Sequence, residues 1–414
     1  MDKIHLNPVI LLMVVAISLF IVRTALHQPT VFAVNTTTIA RPSPIFPTDH
    51  QAHPDFAEWW YFNIINQVAD SSGTSRELSH LISFSRIGNQ SGLLTSTYNS
   101  NTKEFEENTY QGTLTVSTAG NLKIAFQGSD NTVHAVFKRI SATDFTLEGE
   151  TPEMGTFTFQ MKSSNFDNPI KWGGTGIINV FKENDTTYYS VPDLETTGTI
   201  DLAPEEQYVV STGKTWMDHQ YFSQKGSSDW LGHYWLSFHT SEGDHYGFVT
   251  QEFTSGFKNT YWVKYSKKIN QHLSGTDGSI TATADNEDQY PKSLKLNIPS
   301  LHLELIISPT SMNQVYTPPI QTEFFEPSAL FSGTISGKNF TGQGFFETHL
   351  KGSRSSPANS DGDFDVDCDV DIYDYNLFSQ HYDQINCQFN LIDDCKVDDD
   401  DLKRFLELYG NSCQ

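Results

Sequence analysis

Leu294-Lys295-Leu296-Asn297-Ile298-Pro299-Ser300-Leu301-His302-Leu303-Glu304-Leu305 alternates apolar and polar residues on either side of a Pro-Ser pair. A period of two puts every second side chain on one face of a pleated strand. The stretch therefore predicts a hairpin with one buried face, turning at Pro299 and Ser300. The alternation recurs at Leu114-Thr115-Val116, Leu122-Lys123-Ile124-Ala125-Phe126 and Phe157-Thr158-Phe159-Gln160-Met161. No long run of helical period occurs before residue 370, so the body of the chain, His50 to Leu350, is predicted to be antiparallel β.

The chain has 414 residues, including 29 Phe and 17 Tyr, an aromatic load that suits a globular β protein. About 300 residues of short strands exceed one ordinary sandwich or barrel. The expected division is two β-domains, 50–192 and 193–350, with the break near Tyr189 to Thr197. Residues 34–49 and 351–360 (KGSRSSPANS) read as linkers from their Thr/Pro and Gly/Ser content. A net charge of −24 argues against a nucleic-acid partner.

Residues 1–33 read as an export signal. Lys3 precedes a 14-residue apolar run, Val9 to Val22, shorter than the roughly 20 residues that a membrane helix needs. Val31-Phe32-Ala33 offers a cleavage site, and Arg23 directly after the run keeps an uncleaved anchor as the alternative. The expected location is extracellular or at the cell surface.

Half of the charge excess lies in residues 361–414, which hold 15 acidic and 3 basic side chains. The acids are regularly spaced. With Asp363 as position one, Asp363, Asp365, Asp367, Asp369, Asp371 and Asp374 fall at positions 1, 3, 5, 7, 9 and 12. This is the spacing by which an EF-hand-type loop turns alternate oxygens onto Ca²⁺. A helix is expected over Ile372 to Tyr382. A second copy follows 27 residues later, with Asn390, Ile392, Asp394, Lys396, Asp398 and Asp401 at the same positions. Ile392 offers no side-chain oxygen and Lys396 only its carbonyl, so this second site is expected to be weaker.

Two such loop–helix repeats resemble a dockerin domain, over 361–410. The resemblance implies a small α-helical module with structural Ca²⁺, docking onto a cohesin-like partner. All four cysteines lie here, which in an exported chain reads as two disulfides. Pairing within one repeat would join a loop to the far end of its own ~16 Å helix, beyond disulfide reach. Cross-repeat bridges, Cys387–Cys395 and Cys368–Cys413, are expected instead.

Two segments of the body carry chemistry. The first is His50 to Phe62, ending Glu58-Trp59-Trp60-Tyr61-Phe62. The second is Thr215-Trp216-Met217-Asp218-His219-Gln220-Tyr221-Phe222, followed by Trp230, His233, Tyr234 and Trp235. As strands, they place Glu58 with Trp60, and Trp216 with Asp218 and Gln220, while His219 and Tyr221 take the opposite face. A carboxyl among tryptophans is disfavoured as an anion, so it can stay protonated near neutrality and act as a general acid. The plainer reading makes these aromatics core and the carboxyls partners of backbone amides. His50 and His53 suggest a metal pair but have no third ligand in view.

Together the EWWYF and TWMDHQ segments resemble the hydroxyneurosporene synthase (carotenoid 1,2-hydratase) and AttH-like lipocalin family. So do Tyr188-Tyr189-Ser190 leading into Thr197-Gly198-Thr199-Ile200, and Ser332-Gly333-Thr334 followed by Gly342 to Glu347. The resemblance implies two lipocalin-like β-barrels with an apolar pocket near their junction and Asp218 as the acid. Where the hydratases carry a tyrosine two residues before that aspartate, this chain has Trp216.

The expected activity is hydration of an isoprenoid-like alkene. Asp218 donates the proton, and His219 or Glu58 orients water. Trp60, Tyr61, Trp216, Tyr221 and Trp235 bind the substrate, and no redox cofactor or catalytic metal is required. Two alternatives stand beside it, a non-catalytic carrier of a hydrophobic small molecule and a secreted hydrolase. For the last, no Gly-x-Ser-x-Gly elbow is present.

Overall fold

The computed structural model describes residues 43–53, 56–117, 121–181, 184–203, 206–222, 230–253, 258–318, 323–352 and 354–355. Toward the C-terminus it describes 375, 378–379, 382, 384–385, 391 and 396–409. The export signal, the first calcium loop (363–374), most of the helix expected over 372–382, all four cysteines, Asn390 and Asp394 lie outside these residues.

The body is antiparallel β throughout. The first sheet runs β1 (Ala57–Asp70), β2 (Ser75–Ile87), β3 (Gln90–Asn99), β4 (Phe105–Val116), β5 (Lys123–Gly128), β6 (Val133–Arg139), β7 (Asp144–Thr151) and β8 (Gly155–Lys162). It continues through β9 (Ile170–Lys171) and β10 (Ile177–Phe181) to β11 (Asn184–Ala203) and β12 (Glu206–Phe222). β12 pairs with β1, and β11 pairs with both β12 and β8. Those pairings close ten of the described strands into a barrel, with β9 and β10 hung on β11. β11 can serve two neighbours because it is long, 20 residues, and shifts register three times against β12.

The second sheet is formed by β13 (Trp230–His239), β14 (Asp244–Phe253), β15 (Lys258–Ser266), β16 (Gln271–Gly275), β17 (Ser279–Thr283), β18 (Ser293–Ile298) and β19 (Leu303–Pro309). Then come β20 (Val315–Tyr316), β21 (Phe324–Phe325), β22 (Ser328–Ile335), β23 (Lys338–Thr348) and β24 (Arg354–Ser355). Its order is β16-β15-β14-β13-β23-β22-β19-β18-β17-β24, and among the described residues β16 and β24 remain its two edges. The second body is therefore a curled half-barrel, where a second closed barrel was expected. Its edge strands have five and two residues and offer too little ladder to bridge the gap.

The predicted hairpin is present. β18 pairs with β19, and Pro299–Leu301 forms a 3₁₀ turn between them, so the second strand begins at Leu303. The expected domain break near Tyr189 to Thr197 falls inside β11, and the chain passes between the sheets only after Phe222. Linker signals could not place that crossing, because β11 and β12 are needed to close the barrel.

Two glycines from the quoted motifs explain themselves here. Gly198 (φ +146°) and Gly333 (φ +150°) lie mid-strand in β11 and β22. A Cβ at either would collide with the carbonyl oxygen of Thr158 or Glu304 on the adjacent strand.

Each sheet has its own apolar core. Trp60, Phe62, Ile64, Phe84 and Met217 belong to the barrel interior. Leu236, Phe238, Phe331 and Phe346 belong to the half-barrel. A third cluster, with Trp172, Tyr188, Trp216, Trp235, Val249 and Phe345, joins the outer faces of the two sheets. This is why adjacent large side chains occur together on these strands, as in Trp59-Trp60-Tyr61-Phe62 of β1, Trp216-Met217 of β12 and Tyr234-Trp235-Leu236 of β13. One face of each packs inside its own sheet, the other against its neighbour. β4, by contrast, alternates between half-buried and exposed residues.

Beyond the half-barrel, the described residues include a single helix, α1 (Asp399–Leu408), and a short pairing of β25 (Gln384–Ile385) with β26 (Lys396–Val397). Asp398 is the N-cap of α1 and forms a capping box with Asp401. The buried Asp401 carboxylate also accepts the backbone N–H of Leu391 at 2.5 Å. Two of the expected calcium ligands thus serve the helix start.

Candidate active site

Between the outer face of the barrel and the outer face of the half-barrel lies a cavity of about 250 Å³. The barrel contributes Trp59 and Tyr61 from β1, Ser83 and Ile87 from β2, Ile178 from β10, Tyr188 from β11, and Asp218, Gln220 and Phe222 from β12. The half-barrel contributes Trp230, His233 and Trp235 from β13, Val249 and Gln251 from β14, Phe324 from β21, and Glu347 and His349 at the end of β23. Among the described residues, no lysine or arginine lines it.

Asp218 is the buried acid of this cavity, only 3% exposed. Tyr188 donates to its Oδ2 at 2.7 Å, and Trp216 donates its indole N–H to Oδ1 at 2.7 Å. Ser190 also donates to Oδ1, and the Trp172 indole donates in turn to the Ser190 hydroxyl at 2.8 Å. Strand register makes this set. Ser190 pairs directly with Asp218, and Tyr188 with Gln220, so alternate residues of β11 and β12 face one side. Burial pushes the Asp218 carboxyl up to about 7, outweighing the donors that favour the anion, with the negative charge of Glu347 adding to the rise.

The other wall carries a second polar group. His233 Nε2 lies 2.8 Å from Glu347 Oε1, and His349 Nε2 lies 3.6 Å from the same oxygen. His349 Nδ1 lies 3.0 Å from the carbonyl oxygen of Glu323. Burial alone would raise the Glu347 carboxyl, but the two histidines hold it down at about 2. Behind Tyr61 sits Glu326, fully buried, accepting from the Tyr61 hydroxyl and from Asn63 Nδ2 at 2.9 Å. Burial, then the charge on Glu347, pushes the Glu326 carboxyl well up.

The expected catalytic set is divided by the strand wall. Asp218, Tyr61 and Trp235 line the cavity, and Trp216 buttresses Asp218. Glu58, His219, Trp60 and Tyr221 lie on the opposite face of β1 and β12. There Glu58 meets His219 Nε2 at 2.9 Å, His53 Nδ1 at 2.8 Å and Arg86 at 2.5 Å. Trp60 stacks on His219 and donates to the His50 carbonyl, and Tyr221 stacks on His53 and donates to Asp49. The His219 imidazole is pushed down to about 4 by burial. Glu58 is held at about 2 by its histidine partners against the opposing effect of burial.

Trp59, Gln220, Glu347 and His349 were missed as cavity residues. For the last two, alternation says only that they share one side of the chain, and nothing local marks that side as a cavity wall. Phe345 and Glu347 share one face of β23, with Phe346 on the other, and His349 follows on the Glu347 side one residue past the strand end.

A family profile for AttH-like proteins matches residues 38–352 of the chain, the whole β body. The chain belongs to the AttH-like family. Among solved structures, one described as an AttH from Nitrosomonas europaea superposes with a TM-score of 0.59 at 17% identity. It covers 75% of this chain and 97% of its own. Kievitone hydratase from Nectria haematococca superposes with a TM-score of 0.59 at 16% identity, covering 76% and 95%. At these identities the likeness is one of fold. A comparison with curated proteins returned no match. In this AttH-like protein the family resemblance read from EWWYF and TWMDHQ rests on two strands that pair with each other, β1 and β12.

Proposed function

We propose that this AttH-like protein is a hydratase-like enzyme that adds water to an alkene of a small apolar molecule, with Asp218 as general acid. The observation that carries this reading is a carboxyl poised near pH 7 inside an aromatic cavity. A group with that pKa is protonated often enough to donate, yet acidic enough to transfer. The protonated carboxyl gives its proton to one alkene carbon, and the π pair forms the new C–H bond. The adjacent carbon becomes cationic and faces Trp59, Tyr61 and Trp235, whose π faces stabilise positive charge. Water attacks that carbon, and its surplus proton returns to the Asp218 carboxylate, restoring the acid. Trp216, Ser190 and Tyr188 hold the carboxyl throughout.

The name of kievitone hydratase, borne by a structural relative, agrees with this reaction class, as does the resemblance to hydroxyneurosporene synthase. A cavity of about 250 Å³ lies just below the usual range of small-molecule sites, roughly 300–1,000 Å³. We therefore take the substrate to be a short isoprenoid or prenylated compound. Glu58 and His219 act on this reading as a structural cluster behind the wall.

The C-terminal residues 361–414 we take as a dockerin-like, Ca²⁺-binding module that attaches the exported enzyme to a cohesin-like partner. The support is the ligand spacing and its repeat.

The test is incubation with terminal-alkene isoprenoids in oxygen-18 water, with Asp218→Asn alongside. Gain of one labelled water, absent in the variant, is the expected result. Retention of an unchanged apolar compound by both proteins would leave a carrier, and label in two cleaved fragments a hydrolase.

A further inference from the structure

Among the described residues, two groups of histidine and carboxylate side chains converge closely enough to hold a metal ion: His53, Glu58 and His219, and His233, Glu347 and His349. They differ in what surrounds them. In the first, both Glu58 oxygens are already engaged, by Arg86 at 2.5 Å and by the backbone N–H of His53, and Glu58 and His219 are wholly buried. The guanidinium supplies the positive charge that a metal would bring.

The second group opens onto the cavity. Its residues come from adjacent strands. Trp235 pairs with Glu347, so His233, two residues before Trp235, meets His349, two residues after Glu347, on the same face. The three ligand atoms lie within 4.8 Å of one another. The separations from Glu347 Oε1, 2.8 Å and 3.6 Å, bracket the ~3.3 Å between ligand atoms of a tetrahedral Zn²⁺ site with bonds near 2.0–2.1 Å. Loading would need only sub-ångström side-chain movement. His349 also has a metal ligand's outer contact, its Nδ1 on the Glu323 carbonyl, which leaves Nε2 to face Glu347. The Glu347 carboxylate faces the cavity, and among the described residues no lysine or arginine lines it to compete for that oxygen.

We propose that His233, Glu347 and His349 form a binding site for a divalent transition-metal ion of the Zn²⁺ class, with its open coordination position facing the cavity shared with Asp218. Two imidazoles and one carboxylate with a free position is the donor set of a site that keeps an exchangeable water. Such an ion would hold water or an oxygen of the ligand, in addition to proton donation by Asp218. The proposal concerns binding and stands apart from the role of Asp218.

The test uses the full chain, stripped with a chelator and then titrated with Co²⁺ in the presence of excess Ca²⁺, which occupies oxygen-rich loops. The expected result is one equivalent of Co²⁺ with intense four- or five-coordinate visible absorption, displaced by Zn²⁺. His349→Ala and Glu347→Gln should each weaken it by at least ~100-fold, the upper end for loss of a mere outer contact. His53→Ala should leave it unchanged. Absence of that absorption in the wild-type protein overturns the proposal without reference to any variant. So does equal binding by a folded His349→Ala protein.

Discussion

The Tyr188 hydroxyl donates to Oδ2 of Asp218 at 2.7 Å, across the β11–β12 ladder and within the wall of the cavity. The phenol stays protonated because burial pushes it well above its ordinary value, so it is a donor through the neutral range in which Asp218 titrates. It therefore favours the carboxylate over the acid. Removing it should make Asp218 a weaker acid. Hydrogen bonds to charged groups contribute roughly 1.5–3 kcal/mol, or about one to two pKa units. In Tyr188→Phe the alkaline midpoint of the activity–pH profile should move up by about one unit or more. An unchanged midpoint would show that Asp218 is not the titrating acid.

The same group predicts a pH dependence of stability. Its folded value, about 7, lies above the ordinary 3.8, so the native state binds more protons than the unfolded chain between those values. Stability should fall as pH rises through that window, at up to about 1.4 kcal/mol per unit, and level off above it. Glu58 and Glu347, with folded values near 2, act in the opposite direction and only below about pH 4.5. Thermal melts of wild type and Asp218→Asn from pH 4.5 to 8 should diverge, with the variant relatively more stable at pH 8.

Glu326 is fully buried and its carboxyl is pushed well up, by burial first and then by Glu347. A neutral isostere should therefore fit the site at least as well. Glu326→Gln is expected to match or exceed wild-type stability at pH 8, while Glu326→Ala leaves Asn63 and Tyr61 facing a void and costs about 2 kcal/mol or more. Denaturant midpoints of the two variants decide it.

Glu58 is different, because it is the charged partner of Arg86 and two histidines. Glu58→Gln should cost roughly 3–5 kcal/mol, as expected when one member of a buried ion pair is removed. Its KM should stay near wild type, since Glu58 does not line the cavity. A stable Glu58→Gln protein with abolished turnover would return Glu58 to the catalytic set.

Strand identity, the Leu294–Leu305 hairpin and the partition of side chains between the two faces of Glu58–Phe62 and Trp216–Phe222 were legible from alternation. Asp218 stood out because it is a carboxyl in an aromatic-rich segment, with Trp216 two residues before it and Tyr221 and Phe222 shortly after. Glu347 and His349 were not singled out, because a lone Glu and a lone His on a strand have no local signature. Their meaning comes from His233, more than 110 residues earlier, at the register position beside them.

By itself the sequence determined the antiparallel β class, the family, and which side chains share a strand face, because a period of two is fixed by the pleat of each strand. Only the tertiary structure decided which face becomes cavity and which becomes core. Closure of the barrel through β11 turns Glu58 and His219 behind the wall and Asp218 to the front. The packing of the half-barrel against that front face buries Asp218 and raises its pKa. Both effects depend on pairings between distant segments, and no local pattern encodes them.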